Sequence, residues 1–175
     1  MDWQELEPLQ PEQLSVDAVL LPEDAARWKS SLDISVVLHA HCLKQMEEHA
    51  ASSSNEVIGI LRGRVIEDGQ RTLTIAMRAE PLQHAQGSRV SVQATLASWQ
   101  QAWGSMQERL VVVGWYHSHP GFGVFFSETD RVCQQHFFRQ PWQVGMVLDP
   151  HSGEAGAFLG AESDVAGWMQ VEGVR

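Results

Sequence analysis

His117 and His119 stand two residues apart at the end of an apolar run, and Ser127 and Asp130 follow after a glycine-containing loop. Side chains alternate across a strand, so residues two apart share a face, and two imidazoles at a strand's end can chelate one ion. Pro120 then stops the ladder by removing a backbone donor. Ser127-Glu128-Thr129-Asp130 has the form of a capping box, with a hydroxyl at the N-cap and an acid three residues on. That spacing sets Asp130 in the first turn of a helix, where the macrodipole favours an ionised carboxylate. Two neutral nitrogens and one carboxylate suit a zinc ion with a fourth position left open, the arrangement of catalytic sites. Water at such an ion ionises at roughly pKa 7, so hydrolysis is the natural reaction class.

Taken singly, each half has a plainer reading. A His-x-His on a strand is more often packing or surface than ligand, and a Ser-x-x-Asp pair is usually only a helix cap. Together, in this order and across this loop, they are far more specific. The elements that must position them can be read nearby. Leu110 to Tyr116 is apolar, β-branched and aromatic, as expected of a buried strand, and Val132, Cys133, His136 and Phe137 continue a helical period after Ser127.

These residues resemble the JAMM or MPN-plus metalloproteases, whose pattern is His-x-His-Pro, six residues, then Ser-x-x-Asp. Gly121 to Phe126 fill that gap without adjustment. The family also carries an upstream glutamate in a Glu-x-x-Gly-x-Leu context, and Glu56-Val57-Ile58-Gly59-Ile60-Leu61 supplies it. The likeness runs from about Ile34 to Leu159 and includes Val112 to Gly123, Val147-Leu148-Asp149-Pro150 and Gly156-Ala157-Phe158. It implies that His117, His119 and Asp130 ligate one catalytic zinc ion, that Glu56 is general acid and base, and that Ser127 donates to the oxyanion. A hydrolase needs such a base to move a proton from water to the departing amine, whereas a charge opening an apolar strand has no packing role. Outside the motif, Glu56 would be a solvated acid at a strand end.

The resemblance further implies a three-layer, cytidine-deaminase-like α/β fold, with a curved mixed and mostly antiparallel sheet flanked by helices. It implies hydrolysis of the bond after the C-terminal glycine of ubiquitin or a ubiquitin-like protein. The alternatives are processing of sulfur-carrier ubiquitin-like proteins and a noncatalytic MPN interaction module, although no ligand position is substituted. The chain ends soon after Leu159, which favours a compact, bacterial-type member over a subunit of a large assembly; an accessory protein or homo-oligomer is compatible with it.

A length of 175 residues suits one domain with a sizeable core. No apolar run approaches the roughly 20 residues of a membrane span. Met1-Asp2-Trp3-Gln4-Glu5 lacks the basic and apolar regions of a signal peptide, so a cytoplasmic enzyme is expected. The net charge of -10 disfavours nucleic acid as a partner, because such binding relies on Lys and Arg neutralising phosphates. Cys42 and Cys133, far apart and outside any Cys-x-x-Cys pair, read as small buried apolar residues.

Residues 1–32 read as an acidic N-terminal arm, packed through Trp3, Leu20, Leu21 and Trp28, and 33–175 as the catalytic domain. The pattern predicts a strand over 34–37 and a helix from Leu38 to about Ala50. A hairpin follows with strands at 56–66 and 71–77, then an irregular stretch whose segment around 84–89 is a candidate binding flap. Val92 to Arg109 reads as mostly helical, with Leu96, Trp99, Trp103 and Met106 as its apolar stripe. Strands are expected near 142–148 and 155–160, with His151 exposed in the turn between them.

Overall fold

The central strands bury side chains on both faces, so their sheet has to be covered from two sides. The computed structural model describes residues 9–82, 86–87, 92–93 and 110–175. In chain order these form β1 (Glu12–Gln13), α1 (Val16–Val19), α2 (Pro22–Ser30), β2 (Ile34–His39), α3 (Ala40–Ala51), β3 (Ile58–Asp68) and β4 (Arg71–Pro81). A short pair β5 (Gln86–Gly87) and β6 (Val92–Gln93) precedes β7 (Val111–Ser118), α4 (Glu128–Phe137), β8 (Val144–Asp149), β9 (Glu154–Leu159) and β10 (Asp164–Val171).

The main sheet runs β1-β3-β4-β2-β10-β9-β8-β7, and β7 also pairs with β3, so the sheet curls until its ends meet. It is mixed, with most residue pairs antiparallel and the β2–β4, β2–β10, β7–β8 and β1–β3 contacts parallel. The bend is concentrated in β3, whose register slips beside Arg62 against both neighbours. Bulges of this kind bend a strand and increase its twist. Gly63 sits at the slip because a Cβ there would run into the Ile75 backbone.

Alternation along the strands divides the core. Val36 and Leu38 face α3, where they pack with Cys42, Met46, Leu61, Tyr116, Met146 and Leu148. Val37 points the other way, into a cluster of Val16, Val19, Leu20, Ala25 and Trp28 from α1 and α2 against Ile66, Leu73 and Ile75. A third cluster lies under α4 and the loop before it, where Phe126 and Phe138 cover Ile58, Ile60, Trp115 and Val147. Each such side chain contributes about 1.5–3 kcal/mol when fully withdrawn from water. Helices on both sides of the sheet give three layers.

Several boundaries differ from those expected. Leu38 belongs to β2 rather than to the following helix, because its backbone pairs with Ala76 on one side and Gln170 on the other. It still meets Cys42 and Met46, since strand and helix contribute to one cluster. Glu56 lies two residues before β3 rather than opening it, and β4 runs on to Pro81. Strands β1 and β10 were not anticipated, and Val92–Gln93, expected to begin a helix, is a strand paired with Gln86–Gly87. The rest of that expected helix, including Leu96, Trp99, Trp103 and Met106, lies outside the described residues, as do Trp3 and most of the candidate flap. Leu20 and Trp28 are buried as expected, and His151 is exposed. Cys42 is buried, but Cys133 is only half-buried.

Candidate metal centre

Strand β7 delivers the first imidazole. His117 shares a face with Trp115, two residues earlier, and its ring stacks on that indole at 4.7 Å with 11° between planes. Phe126 packs against both rings, 5.7 Å from His117 and 5.7 Å from Trp115. His117 is fully buried, and this burial holds its pKa below the ordinary value, so the ring is neutral and its lone pair available at neutral pH. His119 follows just past the strand end, with Nε2 3.1 Å from Nε2 of His117.

The carboxylate comes from the start of α4. Ser127 is the N-cap, its hydroxyl accepting from the Asp130 N–H at 3.2 Å, while Asp130 Oδ2 accepts from the Ser127 N–H at 2.7 Å. This reciprocal box fixes the Asp130 rotamer and aims Oδ2 at His117 Nε2, 3.3 Å away, and His119 Nε2, 3.7 Å away. Burial works to raise the Asp130 pKa, but the two imidazoles and the Ser127 cap outweigh it and hold the carboxyl well below the usual range. Burial likewise pulls His119 down, and the neighbouring Asp130 and Glu56 carboxylates reverse this to raise it.

One donor atom from each of His117, His119 and Asp130 lies within 4.8 Å of the others, so the three could hold a metal ion. The spacing tests the fit. Ligands about 2.0–2.2 Å from a tetrahedral zinc stand roughly 3.3–3.6 Å from one another. The observed separations of 3.1, 3.3 and 3.7 Å straddle that range. The two imidazole nitrogens and the carboxylate oxygen face one another, so a shared cation would engage all three.

Glu56 arrives through register. β3 and β7 are antiparallel with Ile58 opposite His117, so two steps beyond the paired ends Glu56 falls opposite His119. Its Oε1 lies 4.0 Å from His119 Nε2, and the residue is only 8 % exposed. The extension is tied down by Ser118, whose Oγ accepts from the Val57 N–H and whose N–H donates to the Val57 carbonyl, both at 3.1 Å. The structure therefore gathers all five residues singled out in the sequence, with Ser127 joined through Asp130.

Two supports were missed from sequence. Ser118, between the two histidines, clasps the Glu56 segment. Gln134, fully buried in α4, accepts from Trp115 Nε1 at 2.6 Å and donates to the Phe138 and Gln143 carbonyls, both at 3.0 Å. It holds the indole on which His117 stacks, and only its i+4 placement after Asp130 in the helix could have signalled this. Cys133, one turn beyond Asp130, is no nucleophile: burial pushes its thiol up to about 12.

Residues 33–140 match the family model described as JAB1/Mov34/MPN/PAD-1 ubiquitin protease. The chain belongs to the JAB family. Among curated relatives, COP9 signalosome complex subunit 5 of Caenorhabditis elegans is 33% identical over 122 residues, 66% of this chain and 32% of that protein. Ubiquitin carboxyl-terminal hydrolase RPN11 of Saccharomyces cerevisiae is 33% identical over 113 residues, 62% of this chain and 35% of that protein. The chain thus spans about a third of the length of these curated relatives. A protein from Desulfitobacterium hafniense with a solution structure shares the JAB fold, at TM-score 0.63 and 22% identity, covering 80% of this chain and 95% of that one. Three layers around a curved mixed sheet are the JAB architecture, as the resemblance implied. No helix among the described residues of this JAB-family chain is long and apolar enough to cross a membrane.

Proposed function

We propose that this JAB-family chain is a zinc-dependent isopeptidase or peptidase that hydrolyses the bond after the C-terminal glycine of ubiquitin or a ubiquitin-like protein. The observation that carries the reading is the Glu56 carboxylate held 4.0 Å from His119, at the rim of a buried His-His-Asp cluster. A noncatalytic scaffold has no use for a nearly buried acid at that place, and burying one has a cost. The names of the curated relatives, a ubiquitin hydrolase among them, support the substrate class.

His117, His119 and Asp130 would hold the ion, which when bound supplies Lewis acidity and makes water nucleophilic near neutral pH. Glu56 takes the proton from the attacking water on its carboxylate and returns it to the departing nitrogen. The Ser127 hydroxyl oxygen already accepts from the Asp130 N–H, which leaves its own proton to donate to the oxyanion of the substrate carbonyl. Trp115 and Phe126 pack against His117, which is fully buried, and keep bulk water off it.

The test combines native mass spectrometry for bound metal with cleavage of two substrates, an isopeptide-linked ubiquitin-like conjugate and a sulfur-carrier precursor. Wild type should carry one zinc and cleave the conjugate, and Glu56→Gln should keep the zinc and lose turnover by roughly 10²–10⁴-fold, the usual share of a general acid–base. Cleavage of the precursor alone moves the substrate to sulfur carriers. Full activity in Glu56→Gln, or in protein free of metal, overturns the mechanism.

A further inference from the structure

Asp149 ends β8 and is 4 % exposed, yet none of the roles above uses it. Strands β7 and β8 are parallel with Ser118 beside Leu148, and the His119 N–H donates to the Leu148 carbonyl at 2.8 Å. Asp149 is therefore the next residue along from the backbone partner of His119. Its Oδ1 accepts from the Gly121 and His151 N–H groups and its Oδ2 from the Gly123 N–H, all at 2.9 Å. Gly121 and Gly123 both adopt positive φ, at 80° and 84°, so the loop turns its amides inward onto one carboxylate. Burial raises the Asp149 pKa, and these backbone donors outweigh it and hold it below the ordinary value.

The same loop touches the imidazole. His119 Nδ1 lies 3.3 Å from the Gly123 carbonyl oxygen, an atom that can only accept. In the neutral ring Nδ1 must then carry the proton, which leaves the Nε2 lone pair facing His117 and Asp130. We infer that Asp149 is a positioning residue of the metal centre: by fixing Gly123 it holds the carbonyl that sets the tautomer and ring orientation of His119. The inference rests on the reading of the His-His-Asp cluster as a cation site. Partners of this second kind tune affinity because a ligating histidine needs its other nitrogen committed.

Asp149→Asn separates this role from the turn itself. Asn keeps one carbonyl oxygen, and its best placement retains both bonds now made by Oδ1, to Gly121 and His151. The amide NH₂ then faces the Gly123 N–H, donor against donor, so the link to His119 is the one lost. Zinc binding to the metal-stripped chain, read by competition with a chromophoric chelator, should weaken roughly 10–100-fold. Read in the metal-free protein at a pH high enough for His119 to be neutral, its ¹⁵N shifts should change from the Nδ1–H tautomer to a mixture. His151→Ala, which keeps the backbone donor, should alter neither.

Unchanged zinc affinity together with an unchanged tautomer in Asp149→Asn overturns the inference. Should the variant not fold, wild type still decides: the Gly121 and Gly123 amides must be protected from hydrogen exchange, and exchange at free-loop rates overturns the inference equally. Absence of zinc binding by wild type defeats the cation reading instead, while the tautomer comparison continues to decide the part played by Asp149.

Discussion

Ser127 has two jobs that one substitution separates. Ser127→Ala removes the oxygen that accepts the Asp130 N–H, and loss of an N-cap hydroxyl costs about 1 kcal/mol. For a chain of this size that lowers the melting temperature by roughly 2–4 °C. The 2.7 Å bond that orients Asp130 comes from the backbone N–H of residue 127, which alanine retains, so zinc content should not change. Turnover should fall far more, by roughly 10²–10³-fold, the loss typical of one oxyanion donor. The gap between these effects decides the matter. A domain stable by about 5–15 kcal/mol that loses about 1 remains almost wholly folded, so a lost cap alone cannot slow the reaction measurably. Thr at 127 restores cap and donor together. The assay is kcat on a ubiquitin-like conjugate alongside zinc stoichiometry and thermal melting. Turnover within a few-fold of wild type, or zinc lost from a folded Ala variant, refutes the reasoning.

His119→Ala and Asp130→Ala should each leave a folded chain that no longer binds zinc; zinc at about 100 times its dissociation constant adds about 2.7 kcal/mol to wild type by mass action, and equal zinc-dependent stabilisation of either variant contradicts the ligand assignment. Gly145→Ala places a Cβ against the Phe126 ring and 3.0 Å from both Gln134 Oε1 and Trp115 Nε1, an overpacking expected to cost about 1–3 kcal/mol in a urea titration. His49, bonded to the Tyr116 hydroxyl at 2.8 Å, has its pKa lowered by burial. The unfolded chain therefore takes up this proton first, so the contribution is complete above about pH 6.5 and is lost as pH falls from there through the folded-state pKa. Denaturation midpoints of His49→Gln should fall less than those of wild type across that window, and an equal or steeper fall rejects the assignment.

The parts of the site that local chemistry writes were legible in the sequence. A two-residue period puts His117 with Trp115 on one face, and a three-residue capping box sets Asp130 in the first turn of α4; neither needs knowledge of the rest of the chain. Glu56 could be assigned only through the resemblance, because its approach to His119 depends on the β3–β7 register. The roles of Ser118 and Gln134 were hidden for the same reason. Strand β10 was missed because its apolar residues do not alternate: Val165 is 84% exposed, Met169 is buried, and Gly167 sits at a register slip. Leu38 satisfied helical spacing with Cys42 and Met46, and what placed it in β2 was a pair of long-range ladders that local spacing does not contain.

The location of the cluster follows from topology as much as from motif. Strand β7, helix α4 and strand β8 form a parallel crossover, and clefts in α/β sheets open beyond the carboxyl ends of such strands. There the ladder has just ended, so side chains of His119 and Asp149 can turn toward each other's loops while the backbone beneath them remains paired. The N-terminus of α4 reaches the same edge and brings Asp130 with it. Because β3 runs antiparallel to β7, its beginning also lies at that edge, which is where Glu56 stands. The reacting groups thus come from three chain segments at one edge, the end of β7, the start of α4 and the approach to β3, with Asp149 beside them at the end of β8, and the sheet holds their separations.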